Sequence, residues 1–142
     1  MSTRTFKGGC HCGQVRYEVD LDLAQGTGQC TCSICHKSGW WGSNVKPEAF
    51  RLLSGEDNLS DYQFNTKQGH NLFCKTCGIR SFGRGDVKEI GGAYVAINVR
   101  CLDDADVDLT GVPITLRDGK SNTWAELGTL ETRLRPPPTA RT

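Results

Sequence analysis

Seven of the eight cysteines in this 142-residue chain stand in three short clusters. The clusters read C-H-C-G, C-T-C-S-I-C and C-K-T-C-G, and their cysteines are Cys10, Cys12, Cys30, Cys32, Cys35, Cys74 and Cys77. A structural zinc ion is held by four protein ligands, whereas a catalytic zinc ion keeps one position open for water or substrate. Seven thiolates therefore predict one site with four cysteines and a second site with three.

A glycine follows both Cys12 and Cys77, which indicates that these two cysteine pairs are two halves of one site. In a thiolate knuckle the chain turns back sharply, and glycine tolerates the positive φ that such a turn needs. We expect Cys10, Cys12, Cys74 and Cys77 to share one closed zinc site that contributes folding free energy.

The remaining three clustered cysteines lie within six residues, so one short loop can wrap them onto a single ion. They are Cys30, Cys32 and Cys35. One interpretation is a second structural zinc, with a fourth ligand taken from His36, His11 or Cys101. The other is a zinc ion whose fourth position is vacant or filled by water, which is the arrangement of a catalytic site.

The composition limits the partners and the location that we expect. The chain carries 17 basic and 16 acidic side chains, and a net charge of +1 argues against nucleic-acid binding. The first residues lack the apolar core of a signal peptide, and no apolar run approaches the roughly 20 residues of a membrane span. We therefore expect a cytoplasmic protein without membrane contact, in which cysteines bind metal; a disulfide scaffold is the alternative.

The hydrophobic pattern predicts a small all-β fold with short strands and little helix. Val15, Tyr17 and Val19 alternate with polar residues, as in a half-buried strand. Ser33 is predicted to cap a helical turn that ends at Ser38, and Pro47 to start a single turn. Further strands are predicted at 40–45, 51–53, 60–64, 71–74, 79–83, 91–102 and 114–116.

Two further predictions concern single features of the chain. Cys101 is expected on one face of the strand at 91–102, beside Val99, where a free cysteine acts as a small hydrophobic residue. The domain is expected to span residues 1–128, and residues 129–142 are expected to form a mobile, proline-rich tail.

Together these motifs resemble the glutathione-dependent formaldehyde-activating (GFA) family, also called the centromere-protein-V/GFA domain family. The resemblance covers most of the chain from residue 5 to about 125. Its segments are Gly9–Gly13 with Val15–Val19, Cys30–Lys37, Phe73–Gly78 and Ala93–Asp103.

The resemblance implies a zinc-stapled fold of the β-tent type with two zinc ions. One is implied to be structural, at the four cysteines already paired, and the other to lie at Cys30, Cys32 and Cys35. The activity implied by the family is the combination of glutathione and formaldehyde to S-(hydroxymethyl)glutathione, a carbon–sulfur lyase reaction when written in reverse. Fold membership fixes the reaction less firmly than it fixes the architecture.

A zinc ion with three thiolates carries a net charge of −1, which makes it a poor activator of water. Such a site suits a thiol, which deprotonates on binding and can attack a nearby aldehyde. We expect the sulfur of glutathione to bind there and to attack formaldehyde.

The sequence also contains candidates for the proton donor and for the groups that contact glutathione. His36 and Lys37 follow the ligand loop, and either could donate a proton or contact a carboxylate of glutathione. One of Trp40 and Trp41 is expected in the core and the other in a pocket wall. Further cationic candidates for an anionic tripeptide are His70, Arg80, Arg84 and Lys88.

Two alternatives to this enzyme remain, and a third is excluded because its motifs are missing. A non-catalytic zinc module for protein interaction would have two closed sites and no pocket beside Cys35. A nucleobase deaminase would need the motifs H-x-E and P-C-x-x-C, which the sequence lacks. The same fold could also act on another thiol or another small aldehyde, and the sequence does not indicate an oligomeric state.

Overall fold

The computed structural model describes residues 3–104, 106–121 and 123–130. Within these residues the chain forms eleven β-strands, short 3₁₀ turns and one helix, α1 (Ser33–Ser38). The strands are β1 (Arg4–Gly9), β2 (Arg16–Leu21), β3 (Thr27–Cys30), β4 (Gly42–Val45), β5 (Phe50–Ser54), β6 (Leu59–Tyr62), β7 (Gly69–Cys74), β8 (Phe82–Val87), β9 (Gly92–Asn98), β10 (Ile114–Arg117) and β11 (Glu126–Leu130). The predicted all-β fold with short strands and little helix is confirmed.

The strands form two sheets. The smaller sheet is antiparallel, in the order β1-β2-β5, and the larger sheet has the order β11-β10-β3-β4-β9-β8-β7-β6. In the larger sheet β10 pairs in parallel with β3, and the other pairs are antiparallel. Strand β9 pairs with β4 and β8, so the predicted central strand is confirmed, as is the hairpin of β7 and β8 around the third cysteine cluster.

The hydrophobic core lies between the two sheets. The alternation predicted for β2 is confirmed, since Tyr17 and Val19 are almost completely buried. The ring of Phe50 lies 5.2 Å from that of Tyr17 and 4.8 Å from that of Phe82, which joins the smaller sheet to β8. The hydroxyl of Tyr17 donates to the carbonyl of Ser81 at 3.0 Å, so this aromatic contact also fixes the chain just before β8.

Two local predictions are wrong. Ser33 is the first residue of α1, and the N-cap is Cys32, without a side-chain cap bond. Strand β9 ends at Asn98, whose side chain accepts a hydrogen bond from the backbone N–H of Arg100 and starts a 3₁₀ turn over Val99–Cys101. Cys101 therefore lies in this turn and not on the face of a strand.

The end of the described chain is a strand. Strand β11 reaches Leu130, two residues into the segment predicted as a tail, and residues 131–142 lie outside the described part. In the described part of the chain, no helix has the length and apolar character needed to cross a membrane.

Candidate functional site

The first candidate metal centre joins the two knuckles that the sequence paired. The sulfur atoms of its four cysteines, Cys10, Cys12, Cys74 and Cys77, lie within 4.8 Å of one another. The Sγ of Cys12 is 3.6 Å from the Sγ of Cys10 and 3.6 Å from that of Cys74. A tetrahedral zinc ion with bonds of about 2.3 Å separates its sulfurs by about 3.8 Å. This four-cysteine group therefore fits a zinc ion and would tie the turn after β1 to the β7–β8 hairpin.

Each of the two knuckles is closed by a glycine with a positive φ. The N–H of Gly13 donates to the carbonyl of Cys10 at 3.3 Å, and the N–H of Gly78 donates to the carbonyl of Cys74 at 2.9 Å. The φ angles of the two glycines are +87° and +75°. The predicted left-handed glycine after each pair is confirmed, and this conformation closes each turn around its cysteines.

Hydrogen-bond donors surround the sulfurs of the four-cysteine group. The backbone N–H of Val15 donates to the Sγ of Cys10 at 3.3 Å, and that of Thr76 donates to the Sγ of Cys74 at 3.4 Å. Burial opposes ionisation of Cys74, but the backbone N–H groups of Cys77 and Thr76, together with hydrogen bonds from the thiols of Cys12 and Cys10, lower the pKa of Cys74 to about 6. These donors favour the thiolate form that binds metal.

Asn58 also contacts this group, and no motif in the sequence points to it. Its Nδ2 donates to the Sγ of Cys74 at 3.3 Å and to the Oγ1 of Thr76 at 3.1 Å. Gln14, from the first knuckle, donates to the same hydroxyl of Thr76 at 3.1 Å. The hydroxyl of Thr76 thus links both knuckles through side chains that are distant in sequence.

The second candidate metal centre is formed by Cys30, Cys32 and Cys35, the three-cysteine group. Their sulfurs also lie within 4.8 Å of one another. Cys30 ends β3, Cys32 is the N-cap of α1 and Cys35 lies in the helix. Among the described residues, no further histidine, cysteine or carboxylate joins this group. The structure therefore does not bring His36, His11 or Cys101 to the fourth position.

Without a cation the three sulfurs cannot all ionise together. Hydrogen bonds from the thiols of Cys30 and Cys35 lower the pKa of Cys32 to about 2, because they stabilise its thiolate. Hydrogen bonds with Cys30 and Cys32 raise the pKa of Cys35 well above its ordinary value. Because the negative charges repel one another, the group holds one thiolate and two thiols. A divalent cation would offset this repulsion and allow all three cysteines to ionise. The donor set therefore fits a metal ion.

A loop after β10 holds the three-cysteine group in place. The parallel register sets Arg117 opposite Cys30, which brings the following turn against the ligand loop. The hydroxyl of Thr31 donates to Asp118 at 3.4 Å and accepts from the N–H of Lys120 at 3.1 Å. Gly119 faces the sulfur of Cys30 so closely that an added Cβ would overlap it. The sequence predicts the strand at 114–116 but contains no signal for the contact of Asp118 with Thr31.

A cavity of about 1250 Å³ opens beside the three-cysteine group. Its lining includes Cys30, Cys32, Cys35, Trp40, Arg80 and Tyr94. Trp41 is buried in the core, so Trp40 is the tryptophan of the pair that lines the pocket. The other candidates from the sequence lie outside this lining: His36, Lys37, His70, Arg84 and Lys88.

Arg80 and Tyr94 bring polar groups to the cavity near the sulfurs. The Cζ of Arg80 lies 4.0 Å from the centre of the Trp40 ring. Burial lowers the pKa of Arg80, while the negative charge of Cys35 and Cys32 opposes that change. Burial raises the pKa of Tyr94, which keeps its phenol protonated at neutral pH. Arg80 and Tyr94 thus add a cation and a hydroxyl donor to the cavity wall that contains the three sulfurs.

The fold and the two cysteine groups define a small all-β protein with two candidate metal centres, one of which opens to a cavity. The family model described as "Glutathione-dependent formaldehyde-activating enzyme" (GFA) matches residues 5–116. The chain belongs to the GFA family, and the resemblance found in the cysteine motifs is confirmed.

Two individual proteins extend this comparison. A Halomonas elongata protein, named as a candidate glutathione-dependent formaldehyde-activating enzyme, is 34% identical over 80 residues, which cover 51% of each chain. The chain thus spans about half the length of this relative. A crystal structure of a Rhodobacter sphaeroides protein is similar with a TM-score of 0.62 and 32% identity, over 70% of this chain and 90% of that one.

Proposed function

We propose that this protein combines a thiol, glutathione, with formaldehyde at the three-cysteine group, and that it acts as a carbon–sulfur lyase in the reverse direction. The observation that carries the proposal is the position of three sulfurs in a cavity wall, with no fourth protein ligand among the described residues. Membership of the GFA family supports the choice of glutathione and formaldehyde.

We infer that zinc occupies both cysteine groups, as a structural ion at the four-cysteine group and a catalytic ion at Cys30, Cys32 and Cys35. The buried, donor-rich sulfurs of the first group suit a structural ion. At the second group, zinc would supply an acceptor for a sulfur ligand and lower the pKa of a bound thiol.

The reaction needs no change of oxidation state. A bond forms between the sulfur of glutathione and the carbon of formaldehyde, and the π electrons of the carbonyl move to oxygen. The proton lost by the thiol is balanced by the proton gained at that oxygen. Tyr94 is the proposed donor, because its phenol stays protonated and lines the cavity. His36 and Lys37 are exposed outside the lining and take no role in this scheme.

The dimensions of the cavity support a substrate larger than formaldehyde. Pockets for small ligands measure about 300–1,000 Å³, and this cavity of about 1250 Å³ is larger. A tripeptide thiol fits such a volume, with its sulfur directed at the three cysteines. The site would accelerate the reaction mainly by holding the two reactants next to each other.

The alternative is a non-catalytic zinc module that mediates protein interaction. That alternative predicts a closed second site and no pocket beside Cys35. The described residues instead form a cavity whose wall contains this cysteine. This observation favours the enzyme over the interaction module.

Exchange NMR with ¹³C-formaldehyde and glutathione tests the proposal, because it measures adduct formation against the spontaneous rate. We expect acceleration by the zinc-loaded protein and its loss in Cys32→Ser, whose fold is retained through the other metal centre. Cys101→Ser is the matched control, since Cys101 belongs to neither cysteine group. The spontaneous rate in the presence of the wild-type protein, with both metals bound, would contradict the proposal.

A further inference from the structure

Arg80 is a half-buried cation whose role neither metal centre explains. It lies after the second knuckle of the four-cysteine group and before β8, and its carbonyl accepts a hydrogen bond from the Nδ2 of Asn98 at 3.0 Å. Its guanidinium lies over the ring of Trp40, which fixes the plane of the side chain. The side chain is therefore held in one orientation before any ligand binds.

The guanidinium lacks the partner that a buried charge normally has. Two of its nitrogens, Nε and Nη1, are buried and have no hydrogen-bond partner among the described residues. Within residues 3–104, 106–121 and 123–130, no carboxylate forms an ion pair with Arg80. A half-buried guanidinium with two buried, unpartnered nitrogens is costly to a fold, so its retention at a cavity wall indicates a ligand that supplies negative charge.

The sulfurs of the three-cysteine group supply part of that charge. Cys35 and Cys32 are the groups whose negative charge acts on Arg80. Three thiolates on a divalent ion leave only one net negative charge, shared over three sulfurs and a metal. Sulfur is also a weak hydrogen-bond acceptor compared with a carboxylate oxygen. The planar donors of Arg80 are thus better matched by an oxyanion in the cavity than by the cysteines.

We propose that Arg80 binds a carboxylate of the thiol substrate, so that the cavity selects thiols that also carry a carboxylate. The inference rests on the proposed function, because it assumes that the substrate sulfur reaches the three-cysteine group. Trp40 sets the orientation of the guanidinium, and the carboxylate binds beside it while the sulfur occupies the metal. Arg80 is then a substrate-binding residue that distinguishes acidic from neutral thiols.

The test compares two thiols of equal size in protein loaded with Co²⁺, whose absorption reports each added thiolate ligand. The probes are 3-mercaptopropionate and its neutral amide, 3-mercaptopropionamide. A hydrogen bond to a charged group contributes about 10- to 100-fold in affinity. We expect Arg80→Gln to weaken binding of 3-mercaptopropionate by that factor and to leave binding of the amide unchanged. Because the ratio is compared between proteins, the intrinsic basicity of each thiol cancels.

Two further variants separate charge from geometry. Arg84→Gln removes the same charge from an exposed residue of β8 that does not line the cavity, and it should leave both affinities unchanged. Arg80→Lys keeps the charge but loses the planar donors, and it should retain part of the preference for the carboxylate.

The outcomes separate this inference from the proposed function. Equal weakening of both thiols by Arg80→Gln would overturn the inference and leave the proposed function standing. Where Arg80→Gln does not fold, Arg80→Lys gives the same comparison between proteins, and a preference for the carboxylate equal to that of the wild type would also overturn the inference. Failure of every thiol to change the cobalt spectrum would overturn the proposed function and this inference with it.

Discussion

Gly119 offers a test of whether the loop after β10 positions the three-cysteine group. A Cβ built on Gly119 would lie 2.2 Å from the Sγ of Cys30, 2.9 Å from the Cζ3 of Trp124 and 3.2 Å from the Cβ of Cys32. The backbone of Gly119 does not have a positive φ, so alanine is compatible with it and the cost is steric. Since Trp124 and Cys32 close the other sides, the new methyl group can be accommodated only if the sulfur moves.

The expected displacement exceeds what a metal site tolerates. Bringing the Cβ and the sulfur to 3.0 Å, still tighter than ordinary contact, needs a shift of at least about 0.8 Å, whereas metal–ligand distances hold to about 0.2 Å. We therefore expect Gly119→Ala to lose the metal of the three-cysteine group and to retain that of the four-cysteine group. Overpacking of this kind also costs about 1–3 kcal/mol of stability.

The assay is metal content per chain after dialysis against a graded chelator, together with the cobalt spectrum and the melting temperature. Gly69→Ala is the matched control, because a Cβ at Gly69 would meet nothing within 4 Å and its φ is not positive. The control should hold two metals per chain, and Gly119→Ala only one. Two metals in Gly119→Ala, with unchanged affinity, would refute the idea that this loop fixes the position of Cys30.

Two further predictions concern polar contacts outside the three-cysteine group. Asn58→Ala removes a hydrogen-bond donor to the sulfur of Cys74. We expect the four-cysteine group to bind metal about 10- to 100-fold more weakly, as measured by chelator competition. Unchanged metal affinity would show that this hydrogen bond does not support the site. Hydrogen bonds from Arg51 and Thr5 lower the pKa of Asp20 to about 2 in the folded protein, below its ordinary 3.8. The stability that this carboxylate gives is present above about pH 4 and lost as the pH falls towards 2, so the melting temperatures of wild type and Asp20→Asn should converge over that range; a constant difference would contradict this.

The fold and the division of the cysteines between two metal centres could be predicted because they rest on local signals. The pairs ending at Cys12 and Cys77 carry a following glycine, and the left-handed turn that this glycine permits is the turn that the structure shows. The alternation around Tyr17 likewise follows from the two faces of one strand. Such features depend on neighbours in sequence, so a single chain reveals them.

The residues around the three-cysteine group could not be predicted, because they meet only through the sheet. Arg80 precedes β8, Tyr94 lies on β9, and Asp118 follows β10, so their approach depends on strand order and register. The prediction that Cys101 lies on a strand face is wrong for a local reason. The alternation of β9 continues in the sequence past Asn98, but the side chain of Asn98 caps the next turn and ends the strand.

Charge explains why the two cysteine groups can serve different purposes. Four thiolates around zinc carry a net charge of −2, and the fold stabilises them with N–H donors from Val15, Thr76 and Asn58. Three thiolates carry −1, and the fold adds the guanidinium of Arg80 nearby instead of a fourth ligand. An anionic sulfur arriving from solution would bring the second centre to the same −2, and the guanidinium of Arg80 would offset part of that charge. Arg80 would therefore favour the anionic form that a thiol takes if it binds a metal there.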